Sequence, residues 1–392
     1  MNVVFLSPHF PAHYHLFCRQ LKNCGAAVLG IADAPFDQLP ETVRASLTEY
    51  YRVSDMHNYD ELVRALGYFT HHYGKIDRLD SLNEYWLETE ARLRDDFNIF
   101  GVRGDSINTI RRKSAMKEIF RAAGVPVAAG RVVANEDEAR ALIAEIGYPA
   151  VAKPDGGVGA LNTFRLNNDA DLSAFFANKP VGDYIIEAFV AGTIVSFDGL
   201  TDGHGEIVFH TSHTFSQGIM ETVNEGQHIS YHSLRDLPPR FEALGRTCVK
   251  AFDVRERFFH IEFFETSPDE YVALEVNIRP PGGYTTDMFN YACDIDIYRI
   301  WAELLVAGRH TPFTRQYHCC YASRKNSCRY RHSHEQILAT YGSFIVQVAS
   351  VPGVFSSALG DIGYIFRSPA MDDIRTITAF IQAPAEEHHH AH

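Results

Sequence analysis

Lysine is scarce in this 392-residue chain. Only eight of its 36 cationic residues are Lys, at positions 22, 75, 113, 117, 153, 179, 250 and 325, so a Lys inside a motif carries information. Cationic charge as a whole is in deficit, with 36 Lys+Arg against 49 Asp+Glu for a net charge of −13. An acidic surface repels phosphate backbones and anionic lipids, so neither nucleic acid nor a membrane surface is an expected partner. No apolar run approaches the ~20 residues needed to span a bilayer. The opening Met1-Asn2-Val3-Val4-Phe5-Leu6 has no basic stretch before its apolar residues and reads as a first strand, not a signal peptide. Seven Cys, at 18, 24, 248, 293, 319, 320 and 328, are odd in number, irregularly spaced and free of any C-x-x-C pair. That argues against a disulfide framework or zinc ribbon and fits thiols in a reducing cytoplasm. No G-x-G-x-x-G follows the first strand; Ser7-Pro8-His9-Phe10-Pro11 stands there instead, which argues against a nicotinamide-dinucleotide dehydrogenase. No Ser/His/Asp or Cys/His arrangement suggests a nucleophilic side chain.

What is present is an ordinary globular balance, 46% hydrophobic and 22% charged, in a length suited to two or three domains. The first hundred residues alternate strand and helix signals. Val3–Leu6, Ala27–Ile31 and Asp77–Leu82 read as strands; His13–Asn23, Tyr59–Tyr73 and Glu84–Asp95 have helical spacing. Such a βαβ rhythm implies a parallel sheet covered by helices. Ser106–Ala123 reads as one helix ended by Gly124, and Glu136–Ile146 as another. From Tyr184 strands dominate: Tyr184–Phe189, Thr193–Leu200, Glu206–Thr214, Phe258–Phe264 and Tyr271–Val276, with helices at Pro239–Phe252 and Ile297–Ala307. The last 80 residues read as short strands and turns, and the His-rich end as a disordered tail.

Four motifs then occur in a set order. Arg111-Arg112-Lys113-Ser114-Ala115-Met116-Lys117 opens a helix. Val151-Ala152-Lys153-Pro154 puts a Lys at a strand end, directly before the glycine-rich turn Asp155-Gly156-Gly157-Val158-Gly159-Ala160. Ile185-Ile186-Glu187-Ala188-Phe189-Val190 follows. Last come Glu262, in His260-Ile261-Glu262-Phe263, and Glu275, in Leu274-Glu275-Val276-Asn277-Ile278-Arg279. A triphosphate with Mg²⁺ needs cationic donors, a backbone cradle and hard oxygen ligands for the metal. Lys supplies point charges. Gly156, Gly157 and Gly159 let main-chain N–H groups approach phosphate oxygens. Residues two apart on a strand share a face, so Glu275, Asn277 and Arg279 project together. A forked guanidinium such as that of Arg279 suits a phosphoryl or carboxylate group.

This order resembles the carboxylate–amine ligases of the ATP-grasp superfamily, L-amino-acid ligases among them, over nearly the whole chain. The resemblance implies an α/β ATP-grasp fold with an N-terminal Rossmann-like domain: residues 1–105 as the pre-ATP-grasp domain, 106–190 as the lid, 191–380 as the catalytic part and 381–392 as the tail. It implies ATP with two Mg²⁺, Mn²⁺ being the alternative ion. Lys113, with Lys117 as the nearby alternative, and Lys153 would contact ATP. The main chain of Ala188 and Val190, flanking Phe189, would read the adenine edge, with Glu187 beside it. Glu262, Glu275 and Asn277 would hold the metals, Arg279 the acyl phosphate or substrate carboxylate, and His228 would stand where some L-amino-acid ligases carry a functional His. The implied reaction is ADP-forming ligation of a small carboxylic acid, an amino acid foremost, to an amine through an acyl phosphate. The alternatives are an ATP-grasp kinase or carboxylating enzyme, or a non-catalytic nucleotide-binding module. Homodimerisation, common in the superfamily, is a further expectation.

The chain departs from the family pattern at two points. Arg112 stands where an Asp often precedes the first Lys, and Ile194 stands where a ribose-binding Glu often lies. Plainer readings stay open beside the functional ones. Lys113 and Lys117, four apart, also fit a solvated helix face. Glu262 and Glu275 also fit an edge of charges, and Arg279 a simple partner for Glu275. Glu84 resembles a recurrent pre-ATP-grasp Glu and equally fits a helix-start charge. Tyr231, Tyr284 and Phe289 hint at an aromatic-lined cleft, although such stripes usually form core.

Overall fold

The computed structural model describes residues 1–157, 162–216 and 228–385. Its first four strands, β1 (Asn2–Leu6), β2 (Ala27–Ala32), β3 (Glu49–Arg52) and β4 (Arg78–Asp80), pair in parallel in the order β3-β2-β1-β4. Helices α1 (His15–Asn23), α2 (Glu41–Ser46), α3 (Tyr59–Tyr73) and α4 (Leu87–Asp96) cover it. Successive strand residues point to opposite faces. Val3 and Phe5 therefore join Phe17 and Leu21 of α1 in one core, while Val4 and Leu6 join Leu62, Leu66 and Phe69 of α3 in another. This is the doubly covered parallel sheet that the βαβ rhythm predicts. The chain leaves β1 toward β2 on one side and reaches β4 on the other. The crevice beyond the carboxyl ends of β1 and β4 is therefore where a ligand is favoured. Ser7–Pro11 and Ser81–Glu84 line that edge.

The single helix expected over 106–123 is two: α5 (Ile107–Arg111) and α6 (Lys113–Ala122). Arg112 between them is extended, with φ −97° and ψ 120°. The cause is Asp155, fully buried in the glycine-rich turn. Its carboxylate accepts from Ser114 N (2.7 Å), Ser114 Oγ (2.9 Å) and Arg112 Nε (2.7 Å), and its carbonyl accepts from Lys113 N (2.7 Å). A carboxylate at the positive end of α6 satisfies amides that a continuous helix would have used internally.

Strands β5 (Gly130–Val133), β6 (Ala150–Pro154), β7 (Phe164–Leu166) and β8 (Tyr184–Ala188) form an antiparallel sheet in the order β5-β8-β6-β7. Helices α7 (Glu136–Ile146) and α8 (Asp169–Asn178) pack on it, each opened by an Asn side chain that accepts an amide three residues on.

The large sheet runs β13-β12-β9-β10-β11-β14-β16-β15. Its strands are β9 (Thr193–Thr201), β10 (Ile207–Phe215), β11 (Ser230–Ser233), β12 (Phe258–Ser267), β13 (Glu270–Asn277), β14 (His318–Arg324), β15 (Ile345–Ser350) and β16 (Ile362–Ser368), every neighbour pair antiparallel. The C-terminal region differs from the short strands and turns expected. It also holds helices His334–Tyr341, Gly353–Leu359 and Met371–Gln382. Ile374, Ile377 and Ile381 do have helical spacing, and they bury against Cys320, Ala322, Tyr364 and Phe366 of the sheet. The β-branched composition of that segment masks the period. Residues 381–385, expected as the start of the tail, are part of the fold. Ile381 is fully buried, Pro384 bridges to Tyr330, and the His-rich residues 386–392 lie outside the described residues. All seven cysteines are free thiols. Among the described residues no helix is long and apolar enough to cross a membrane.

Candidate functional site

A cavity of about 560 Å³ opens between the β5–β8 sheet and the large sheet. One wall carries Lys153 at the end of β6 and Glu187, Ala188, Phe189 and Val190 at the end of β8. The other carries Glu262 on β12 and Glu275 and Asn277 on β13, with Arg279 just beyond. Lys113, the first residue of α6, reaches the same space. Gly156 and Gly157 line an adjoining cavity of about 570 Å³ that shares Lys113 and Lys153 with the first. Gly157 has φ +120°, a conformation open to glycine and strained for other residues. Gly159 lies outside the described residues.

The acidic pair is set by sheet register. Glu262 and Glu275 are directly opposite across β12 and β13. Like charges so placed repel and destabilise a sheet unless something compensates. Compensation comes from Lys113, whose Nζ is 3.6 Å from Glu275 Oε2, and from His260, whose Nε2 is 3.1 Å from Glu262 Oε1. Asn277 Nδ2 donates to Glu275 Oε1 at 3.2 Å. Burial would push the Glu275 carboxyl up, but Lys113, Lys153, Asn277 and Arg279 together outweigh it and hold it below the usual carboxylate range. Among the described residues no three His, Cys, Asp or Glu side chains cluster as a complete metal cage. Two carboxylates and an amide oxygen nevertheless fit Mg²⁺, which typically takes one or two protein carboxylates and fills its shell with water and phosphate oxygens.

The lysines meet a second acid. Glu187, 3% exposed, is ion-paired to both Lys153 and Lys117. Lys117, 2% exposed, also donates to Ala128 O at 3.1 Å, so this residue sits in the interior and not on a solvated face. Burial raises the Glu187 pKa, but Lys153 and Lys117 prevail and the net shift is downward. Gly130 faces Glu187 across β5 and β8, and a Cβ there would come within 2.6 Å of the Glu187 Cβ.

Arg279 is fixed from the other end of the molecule. Its Nε donates to Glu84 at 2.9 Å and its Nη1 to Pro280 O at 2.9 Å. Glu84 sits there because β4 ends at the crevice where the strand order reverses. Its partner is thus Arg279, not only a helix terminus. Burial lowers the Arg279 pKa, but Glu84, Tyr14 and Glu275 together outweigh it, the net shift is upward, and the guanidinium stays charged.

His228 does not line the cavity among the described residues. Ile229 and Tyr231 do, whereas His228 Nδ1 lies 3.4 Å from Tyr330 Oη. Of the suggested aromatic stripe only Tyr231 reaches the cavity. Phe289 packs in the core against Phe209, and Tyr284 stacks on Tyr321.

Two features were missed from the sequence. One is Asp155, described above. The other is a buried relay behind the acids: Asp198 on β9 accepts from Ser196 Oγ (2.6 Å) and meets Nδ1 of both His213 (2.7 Å) and His260 (2.5 Å). Burial lowers the His260 pKa, but Asp198 and Glu262 together outweigh it and carry it up to about 10, so the imidazolium faces Glu262. A signal for it existed. His260 and Glu262 are two apart on one strand, and Asp198 is a lone acid inside an apolar one.

No protein-family model matches the chain. It is 25% identical over 243 residues, 57% of this chain and 56% of the relative, to an L-arginine-specific L-amino acid ligase of Bacillus subtilis. It is similar in fold to the crystal structure of an L-amino acid ligase from Bacillus licheniformis, with a TM-score of 0.72 at 13% identity, covering 96% of this chain and 95% of that one. The ADP complex of N5-carboxyaminoimidazole synthetase from Staphylococcus aureus matches with a TM-score of 0.72 at 14% identity, covering 96% of each chain. The chain spans little more than half the length, or less, of the curated relatives it matches.

Proposed function

We propose that this chain is a member of the ATP-grasp superfamily and an ADP-forming ligase that joins a small carboxylic acid, an amino acid foremost, to an amine. The observation that carries the reading is the convergence of Lys113, Lys153, Glu262, Glu275, Asn277 and Arg279 on one cavity. A carboxylate oxygen of the donor attacks the γ-phosphorus of ATP and ADP departs, leaving an acyl phosphate. The amine nitrogen then attacks the acyl carbon, inorganic phosphate leaves, and the nitrogen loses a proton as the amide forms. Lys113 and Lys153 neutralise phosphoryl oxygens, and Arg279 orients the carboxylate. Glu262, Glu275 and Asn277 would hold Mg²⁺, which supplies charge neutralisation at the bridging phosphate oxygens. Main-chain groups of Ala188 and Val190 face the base, and enclosure between the two sheets keeps water from the acyl phosphate.

The test is ADP and phosphate release with pairs of carboxylic acids and amines, read together with product mass. Release that requires both partners and a new amide mass upholds the ligase. A phosphorylated or carboxylated product sinks it in favour of a kinase or carboxylase. In the same assay Glu275→Gln is expected to lower kcat on the order of 100- to 1,000-fold while the far-UV spectrum and Tm stay close to those of the parent. Unchanged turnover would favour a nucleotide-binding module.

A further inference from the structure

The cavity has two unlike ends. Among the described residues its charged or imidazole-bearing side chains, Lys113, Lys153, Glu187, His260, Glu262, Glu275 and Arg279, all belong to the phosphate and metal region described above. Along the sheet order from β13 through β12 and β9 to β10 and β11, the wall turns apolar. Phe215 of β10 stacks on Tyr231 of β11 (ring centroids 5.3 Å apart), and Ile229 lies beside them. The helix Gly353–Leu359 closes this end with Phe355 and Leu359.

Several contacts fix its shape. Phe10, in the loop after β1, stacks on Phe355 at 5.6 Å. Tyr321 Oη donates to Leu359 O at 2.7 Å, which ties the helix to β14. Gly283 has φ +65°, and a Cβ on it would lie 3.2 Å from Tyr231 Oη and 3.3 Å from Leu359 Cδ1. The loop carrying Arg279 therefore meets the aromatic wall closely enough to favour glycine there. Arg279 lines the cavity four residues before Gly283, on the stretch of chain that runs from the charged end to the apolar one.

We propose that this end is the side-chain pocket for the carboxylate donor, and that it takes a carboxylic acid bearing an uncharged, apolar side chain. The proposal rests on the ligase reading and deepens it. A donor whose carboxylate sits at Arg279 directs its side chain against Phe215, Tyr231, Phe355 and Leu359. Among the described residues no acid or base lines that end. A guanidinium, ammonium or carboxylate placed against these rings and methyl groups gives up its hydration, whereas each methylene placed there gains from leaving water. An arginine-like donor, as in the name of the Bacillus subtilis relative, is thus disfavoured by this wall.

Hydroxylamine trapping tests it without knowledge of the natural amine, because hydroxylamine attacks the acyl phosphate to give a hydroxamate and phosphate. With the purified full chain, MgATP and hydroxylamine, leucine, methionine and phenylalanine are expected to exceed arginine and glutamate by on the order of 100-fold in kcat/KM. Phe355→Glu is expected to narrow the leucine-to-arginine ratio at least about tenfold, mainly through KM. Equal or better use of arginine or glutamate by the parent chain overturns the pocket and leaves the ligase standing. Absence of hydroxamate from every donor overturns the ligase reading, and Tm in the presence of MgADP then judges the pocket. A rise with leucine but not with arginine upholds it; equal shifts, or none, overturn it.

Discussion

At the scale of single residues, the arrangement with most at stake is one carboxylate shared by two buried ammonium groups. Glu187 pairs with Lys117 and Lys153, all three nearly inaccessible to water. Removing one member of a buried ionic group is costly when it strands the others. Glu187→Gln strands two cations and is expected to destabilise the fold by about 3–5 kcal/mol. Lys117→Met leaves the Lys153–Glu187 pair intact and should cost clearly less. Urea unfolding midpoints of the two variants decide this, and the reverse order would show that the pairs do not hold the region together. Part of the arrangement is visible in the sequence. Lys113 and Lys153 stand out because Lys is rare and because each sits in one of the ordered motifs, Lys153 at a strand end. The partnership with Glu187 is not visible there, since it depends on β6 lying beside β8 with Val151 opposite Glu187. Register of that kind follows from tertiary packing, not from local residue preference.

At the scale of elements, Asp155 joins three pieces of the phosphate region: the end of β6, the glycine-rich turn and the start of α6. It fixes the start of α6 through Ser114 and holds Arg112 out of the helix. Lys113, the first helical residue, is thereby aimed at Glu275. Asp155→Asn keeps the shape and removes the charge from these hydrogen bonds, which are the stronger kind. The expected result is a rise of about tenfold in KM for ATP with kcat changed far less, and a smaller Tm increase on adding MgADP. A kcat loss at unchanged KM would show that Asp155 acts on the chemical step and not on Lys113. The helix break itself could not be read from residues 106–123, which contain neither Gly nor Pro. It is imposed by a residue 43 positions away. The strands bearing Glu262 and Glu275 were readable because alternation survives inside each strand, whereas the Met371–Gln382 helix was hidden by its β-branched residues.

At the scale of the whole molecule, the parallel sheet and the large sheet are joined by charge. Arg257 at the start of β12 lies 3.3 Å from Asp80 and 3.5 Å from Glu90, while Arg94 holds Glu90 at 2.8 Å. Arg279 and Glu84 extend this seam to the cavity. A net charge of −13 gives no hint of it, because composition does not say which charges are interior. Interior titratable groups also set how the fold responds to acid. His232 on β11 has its pKa lowered from 6.5 to about 4, first by burial and then by His213, His318 and Arg375. The folded chain keeps this ring neutral where the unfolded chain would protonate it. Stability from this source is therefore complete above pH 6.5, falls as pH drops from 6.5 toward 4, and is gone below that. The full loss amounts to about 3 kcal/mol. Asp198 acts in the same direction at lower pH. Burial raises its pKa, but His260 and His213 outweigh that and hold it below the usual range, so its contribution is present above the ordinary carboxylate value and lost on further acidification. Urea unfolding of the parent and of His232→Gln between pH 7 and pH 4 separates the two. The variant is expected to start less stable at pH 7 and to lose less on the way to pH 5, so the two curves converge. Parallel curves would assign the acid sensitivity to groups other than His232.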